Sequence, residues 1–384
     1  MPDSSSGSSL EKSRLLEIAA GILADLQPLK TGQKRQPPEG TWETSHRPHG
    51  CINSGRTWAK LRPTERNGRS SPLLVQCITN AVAMDLTANV LLACRCSPAM
   101  VSDASEAADF AARCGEALLV NVGTLSPGAL AGARAAAAAA NRGLKPWVLD
   151  PVGMGATAAR SAAILDLVKL KPAVIKANGS EMIALAKALG FGSGAGAAAA
   201  PRGVDCAPGV TAEARAFAAA SVARGCRCVT VVTGATDYIF WPETETREDR
   251  KRFECLAVAS GSALQLAVTA MGCALGGLVA AFLGASRADE CDPDSLEVVA
   301  KVTTAAVAAY GAAAVIAERS ASGPGSFRAA FIDALWNLTA EEVNSLGRVS
   351  LRVAEFHGAA PPASAPCFPL RRLPPPATRR ERGR

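Results

Sequence analysis

Leu266-Ala-Val-Thr269-Ala270-Met271-Gly272-Cys273-Ala-Leu-Gly-Gly-Leu-Val-Ala-Ala-Phe-Leu-Gly-Ala285 contains no charged residue. Leu266 and Val268 read as the end of a strand, Thr269 as a turn, and the remainder as a buried helix rich in Ala, Gly and Leu. A helix that begins just after Thr269 leaves its first N–H groups without intrahelical partners. Gly272 lets an anion approach that backbone, and the helix dipole favours negative charge there. The run has about the length of a membrane span. Thr269 and the many Gly and Ala residues fit better a core helix packed closely on a sheet.

The rest of the composition supports that choice. Aromatic residues make up 4% of a 384-residue chain, so the core must be built from Ala, Val and Leu. The net charge of +7 is unevenly spread. Residues 28–70 hold nine Lys/Arg against three Asp/Glu, and residues 359–384 hold six Arg against one Glu. What lies between is net negative, so the basic excess belongs to two low-complexity segments and a nucleic-acid partner is not expected. No membrane partner is expected either. The twelve Cys fall partly inside apolar runs (Cys77, Cys94, Cys114, Cys228) and follow no signal peptide. A reducing, cytoplasmic setting fits better than a disulfide framework. The C-x-C pairs Cys94/Cys96 and Cys226/Cys228 lack zinc-site spacing. His46, His49 and His357 all sit in irregular or terminal stretches, which disfavours a Ser-His-Asp mechanism.

In chain order, residues 1–27 are a Ser-rich start followed by an amphipathic helix over 11–26, with Leu15, Ile18, Ile22, Leu23 and Leu26 on one face. Residues 28–70 are a basic stretch broken by Pro and Gly with no apolar period, an insertion or linker. Residues 71–346 form the main domain. Strands are predicted at 73–78, 99–101, 117–122, 146–149, 173–176 and 228–233. Helices are predicted at 83–93, 105–114, 126–142, 158–169, 180–189 and 211–224. Short apolar strands alternating with helices imply an α/β fold, a mostly parallel central sheet with helices on both faces. Residues 191–210 read as a loop. Tyr238–Trp241 and Cys255–Val258 read as a small antiparallel excursion. Helices follow at 293–318, 326–336 and 340–346. Residues 347–384 are the C-terminal tail, Pro/Arg-rich from 358.

Ligands of open α/β sheets bind beyond the carboxyl ends of the strands. Four strand ends carry polar residues: Asn121-Val-Gly123-Thr124, Asp150-Pro-Val-Gly153, Lys176-Ala-Asn178-Gly-Ser-Glu181 and Thr233-Gly234. Together they bring two carboxylates, Asp150 and Glu181, near a Gly-rich helix start. That combination suits Mg²⁺ and phosphate, hence phosphoryl transfer from a nucleotide. There is no G-x-x-x-x-G-K-[ST], so this is not a P-loop enzyme.

These pieces resemble the hydroxyethylthiazole kinase family, which is ribokinase-like and serves thiamine salvage. The resemblance rests on Ile78-Thr79-Asn80, Ser97-Pro98-Ala99-Met100, Asn121-Val122-Gly123-Thr124, Leu149-Asp150-Pro151-Val152-Gly153, Asn178…Glu181, Thr269…Gly272-Cys273 and Gly323-Pro324-Gly325-Ser326-Phe327. It implies ATP-dependent phosphorylation of the primary hydroxyl of 4-methyl-5-(2-hydroxyethyl)thiazole, with Mg²⁺, in a homotrimer with active sites at subunit interfaces. It implies that Met100, Asn80, Gly123, Thr124 and Ala270 line the thiazole side, and that Lys176, Thr233 and Asn178 line the ATP side. Asp150 and Glu181 then hold the metal, while Gly272 and Cys273 stand at the reacting atoms. Cys273 takes the place of the catalytic Asp of related sugar kinases. A thiol is a poor base for an alcohol, although a helix N-terminus can lower its pKa.

Ala270 replaces a Gly and Met271 a small residue beside the phosphate path, Lys176 stands where an ATP-binding Arg is usual, and Gln76 where a His is common. The alternatives are a weakened relative that binds thiazole or nucleotide, and another ribokinase-like small-alcohol kinase. On this reading, deleting residues 28–70 leaves a folded enzyme. The double change Ala270→Gly, Met271→Ala raises kcat about tenfold, or about 1.4 kcal/mol of barrier, with little effect on stability.

Overall fold

The computed structural model describes residues 42–43, 54–61, 71–191, 210–242, 252–286 and 295–355. The helix expected over 11–26, most of the 191–210 loop and the tail beyond 355 lie outside them.

The described strands are β1 (Trp42–Glu43), β2 (Leu74–Ile78), β3 (Ser97–Ala99), β4 (Ala117–Asn121), β5 (Trp147–Asp150), β6 (Val174–Asn178), β7 (Val229–Thr233), β8 (Asp237–Phe240), β9 (Arg252–Val258) and β10 (Val349–Glu355). They form one sheet in the order β1-β10-β9-β8-β7-β6-β5-β4-β2-β3. From β3 to β7 every pairing is parallel. From β7 to β1 every pairing is antiparallel. β4 and β5 are buried at every position, because helices cover both faces of the parallel part. The sequence implied this α/β arrangement with helices about a central sheet, but the antiparallel part is larger than the small excursion expected, because β10 and β1 extend it.

The helices are α1 (Ser54–Leu61), α2 (Met84–Ala93), α3 (Ala107–Arg113), α4 (Pro127–Arg142), α5 (Ala158–Val168), α6 (Gly179–Ala188), α7 (Ala212–Cys226), α8 (Met271–Ser286), α9 (Leu296–Ser320), α10 (Pro324–Asn337) and α11 (Ala340–Leu346). Several start where a short polar side chain caps them. Ser126 accepts from Ala129 N, with Pro127 at the first helical position, and Thr157 and Thr211 do the same for α5 and α7.

Helix α8 is the centre of the molecule. It packs on β2, β4 and β5 on one side and on α1, α2 and α9 on the other. Its Gly-Gly pair explains how it comes so close. A Cβ on Gly276 would lie 3.0 Å from Leu119 Cδ1, and one on Gly277 would lie 2.9 Å from Thr87 Cγ2. Helix α9 is long and apolar enough by composition to cross a membrane, and it is mostly buried within the fold.

The structure departs from the sequence reading in three places. Residues 263–267 form a short 3₁₀ helix rather than the end of a strand. The Ser262 hydroxyl and the Gln265 side chain cap its first turn reciprocally, which offers the backbone a local alternative to the sheet. Leu266 consequently points to solvent, 94% exposed. Second, residues 28–70 are not all insertion. Helix α1 buries Trp58 and Leu61 in the main core, and the Trp58 indole N–H donates to Leu338 O at 2.9 Å. The Trp58 ring lies 6.0 Å from that of Phe282 on α8. The helix that runs ahead of β2 is therefore α1. Third, the expected tail begins with a strand: β10 pairs with β9 along Val349–Glu355.

Truncating a core Trp typically costs about 3–5 kcal/mol. Trp58→Ala should lower the denaturation midpoint accordingly in urea unfolding, and removal of residues 28–70 should abolish a single cooperative transition. A wild-type midpoint in the Trp58→Ala variant would show that α1 is not integral to the core.

Candidate active site

The polar strand ends converge as the parallel topology requires. In register, Asn121 sits beside Asp150, and Asn178 beside Thr233. Asn80 follows β2, Met100 follows β3, and Gly123 and Thr124 follow β4. The start of α8 lies across the same edge.

A continuous chain of polar contacts links these ends. Lys176 Nζ lies 3.1 Å from Asp150 Oδ2, both side chains being about 5% exposed or less. Asn121 Nδ2 donates to the same oxygen at 2.8 Å. Asn80 Nδ2 donates to Asn121 Oδ1 at 2.9 Å and also approaches Cys273 Sγ at 3.5 Å. Burial pushes the Asp150 carboxyl upward, while Lys176 and Asn121 pull it back down. Burial works against the Lys176 ammonium, but Asp150, Cys273 and Glu181 more than offset it and raise its pKa. Lys176, expected at the ATP phosphates, is thus committed to Asp150.

Glu181 is held from the other side. It accepts from Gly153 N at 2.8 Å and Asn178 N at 3.0 Å, and Asn178 Oδ1 in return caps Glu181 N. This capping box fixes the start of α6. Burial, then the Asp150 charge, push the Glu181 carboxyl up to about 7 against the pull of those N–H groups. Two buried carboxylates therefore face one ammonium. A divalent cation would draw both carboxyls back to their charged forms, with Asp150 and Glu181 as the groups that would hold it.

At the central turn, Ala270 has φ +66°, the left-handed region. A non-Gly residue carries roughly 1–2 kcal/mol of strain there. The first bond of α8 is Ala274 N to Ala270 O at 2.9 Å. The N–H groups of Met271, Gly272 and Cys273 thus precede the helical ladder. Gly272 is exposed, and a Cβ built there would meet nothing within 4 Å. Open space therefore lies beside those donors.

Met271 does not stand in that space, contrary to the sequence reading. It is 3% exposed, its carbonyl accepts from Tyr310 OH at 2.7 Å, and its sulfur lies 3.8 Å from the same hydroxyl. Cys273 does not gain the acidity that a helix start can confer. Burial, then the Asp150 charge, raise its pKa in spite of Lys176, Asn121 and Asn80. That direction favours the thiol over the thiolate at the helix start.

The remaining predicted residues occupy the rim. Thr124 is exposed, and its hydroxyl accepts from Ala81 N at 3.2 Å. A Cβ on Gly123 would fall 2.7 Å from Asn80 Nδ2, so only Gly permits that approach. Met100 is half-buried against the core, and the Thr233 hydroxyl donates to Ala177 O at 3.4 Å. Sequence reasoning missed the bridging role of Asn121, although its place beside Asp150 signalled it. It also missed Tyr310, the one aromatic side chain of α9, and Arg160, for which no signal existed.

Residues 66–341 match the model of the Hydroxyethylthiazole kinase family. A hydroxyethylthiazole kinase of Rhizobium rhizogenes is 43% identical over 281 residues, 73% of this chain and 93% of that relative. One of Cereibacter sphaeroides is 42% identical over 276 residues, covering 72% and 93%. A solved structure of a hydroxyethylthiazole kinase protein from Pyrococcus horikoshii is 30% identical with TM-score 0.61, covering 78% of this chain and 98% of that one.

Three variants test this geometry in thermal or chemical melts. Lys176→Met leaves Asp150 buried without its partner and should cost about 3–5 kcal/mol, whereas a wild-type midpoint would contradict a buried pair. Ala270→Gly relieves the left-handed strain and should add about 1 kcal/mol. Met271→Ala opens a cavity and should remove about 2–5 kcal/mol, so the double change is not neutral as the sequence alone suggested.

Proposed function

Because the chain belongs to the hydroxyethylthiazole kinase family, we propose that it transfers the γ-phosphoryl group of ATP to the primary hydroxyl of 4-methyl-5-(2-hydroxyethyl)thiazole, in thiamine salvage. The observation that carries this reading is the start of α8, where free-standing N–H groups border open space at Gly272 and Cys273 joins the Asn80–Asn121–Asp150 chain.

In the transfer, the hydroxyl oxygen bonds to the γ-phosphorus as the bond to the bridging oxygen of ADP breaks. The alcohol proton leaves late and passes to solvent, because such transition states depend on positioning and charge stabilisation more than on a strong base. The Gly272 and Cys273 N–H groups hold the equatorial oxygens, and removal of one such donor typically costs about 10²–10³ in rate. The neutral Cys273 thiol, hydrogen-bonded by Asn80, orients the attacking hydroxyl. Met100, Gly123 and Thr124 face the thiazole, and Asn178 and Thr233 the nucleotide. Lys176 steadies Asp150 rather than gripping phosphate. Mg²⁺ at Asp150 and Glu181 would neutralise phosphate charge.

The weakened-relative reading loses the Met271 part of its support, because that side chain is buried against Tyr310, and keeps the strained Ala270. Exposed Val82, two residues past Asn80, and Leu266, ahead of the central turn, offer apolar surface beside the site. A second copy would cover them, which supports a homotrimer completed at subunit contacts. We place the activity in the cytoplasm on the cysteine usage alone.

Thiazole-dependent ADP release in a coupled assay tests the reading. No release, or release with the hydroxymethylpyrimidine alcohol only, would refute it. Asp150→Asn and Glu181→Gln should each raise the Mg²⁺ needed for half-maximal rate, and Cys273→Ser should keep part of the activity. Leu266→Arg should shift the sedimenting mass from trimer to monomer, and a monomeric wild type would remove the trimer.

A further inference from the structure

Arg160, in the first turn of α5, joins the loop after β4 to the loop after β5. Its Nη1 donates to Val122 O and Val152 O, and its Nη2 to Gly123 O. Val122 and Gly123 belong to the loop after β4, and Val152 to the loop after β5. The two loops are not equally anchored. The β5 loop is held by Gly153 N on Glu181, by Met154 N on Pro151 O and by Ala156 N on Gly153 O. The β4 loop has the weaker Val122 N to Asp150 O contact at 3.3 Å, the Asn121 side chain on Gly123 N, and Thr124 on Ala81 N.

The helix that carries Arg160 is itself fixed to the firm loop. Thr157 Oγ1 accepts from Arg160 N at 3.2 Å, and Ser161 Oγ accepts from Gly155 N at 3.2 Å while donating to Thr157 O. Gly153 has φ +72°, and a Cβ there would lie 3.1 Å from Arg160 Cδ. The backbone thus turns aside to let the arginine stem pass. A planar guanidinium can serve three carbonyls in fixed directions, whereas an ammonium cannot hold that geometry.

We propose that Arg160 is a positioning residue that fixes the Gly123–Thr124 loop, and through it Asn80 and Cys273, for the thiazole substrate. The link to Asn80 is steric as well as polar, since Gly123 lies pressed against the Asn80 side chain and Asn80 in turn donates to Cys273 Sγ. A shift of the β4 loop therefore moves the group that faces the attacking hydroxyl. The nucleotide side, at Asn178 and Thr233, is held by its own strands. The proposal rests on the thiazole kinase reading for the substrate it names.

The test compares the full-length protein with Arg160→Lys and Arg160→Gln. Wild-type turnover of the thiazole alcohol checks the kinase reading by itself. On that background, both variants should raise KM for the thiazole alcohol about tenfold and change KM for ATP less than about twofold. Backbone amide exchange should speed up across residues 121–125 and stay unchanged across 174–178. A lysine variant with wild-type KM and wild-type exchange overturns the proposal. So does an equal rise in both KM values with faster exchange everywhere, which is the mark of general destabilisation. If the wild type does not turn over the thiazole, the kinase reading fails and the exchange pattern alone decides the clamp: unchanged exchange across 121–125 overturns it.

Discussion

The buried contact between Lys176 and Asp150 sets the terms for the rest of the site. Removing two opposite charges from water is expensive, and their attraction repays it only when further hydrogen bonds complete the geometry. Asn121 supplies one such bond to Asp150, and Asn80 then secures Asn121. Each partner comes from a different strand end, so the pair can form only when β2, β4, β5 and β6 are aligned in register. Helix α8 must also pass closely enough to shield the pair, and Gly276 permits it: a Cβ there would come within 3.8 Å of both Asp150 Oδ2 and Lys176 Cε. Fold and site are therefore specified by the same few contacts.

The same arrangement divides labour among the charged groups. An arginine at position 176 has the reach and the fork to grip phosphate, whereas the lysine present here is turned inward to Asp150. On the proposed reading the phosphoryl group is left to the backbone at the start of α8, where dipole and N–H groups are fixed before substrate arrives. Cys273 completes that edge without carrying charge. Strain at Ala270 is the local cost of aiming this backbone outward, a cost that a glycine would avoid.

Much of this was legible in the sequence because the relevant signals are local. Alternating apolar strands and helical stretches gave the parallel core, and the helices expected from 126 and 158 begin at Pro127 and Ala158. The positions of Asp150, Lys176 and Glu181 at strand ends also followed from pattern. Their pairing did not, because which carboxylate takes the ammonium depends on side-chain reach across the sheet. Helix α1 escaped notice because only Trp58 and Leu61 carry its apolar face, too few to show a period amid Pro, Gly and Arg. Met271 was misjudged for a related reason. Sequence gives its distance from Gly272 but not its rotation about the helix axis, and that rotation turns it toward Tyr310.

The docking of α1 also bears on how the molecule is made. Trp58 donates to a carbonyl 280 residues further along the chain. At about 5–20 residues per second on a ribosome, that acceptor is synthesised roughly 15–55 s after the indole it receives. Throughout that interval the Trp58 indole lacks its native acceptor, even after Phe282 of α8 has arrived beside it. Such a long-range closure slows folding relative to local pairings.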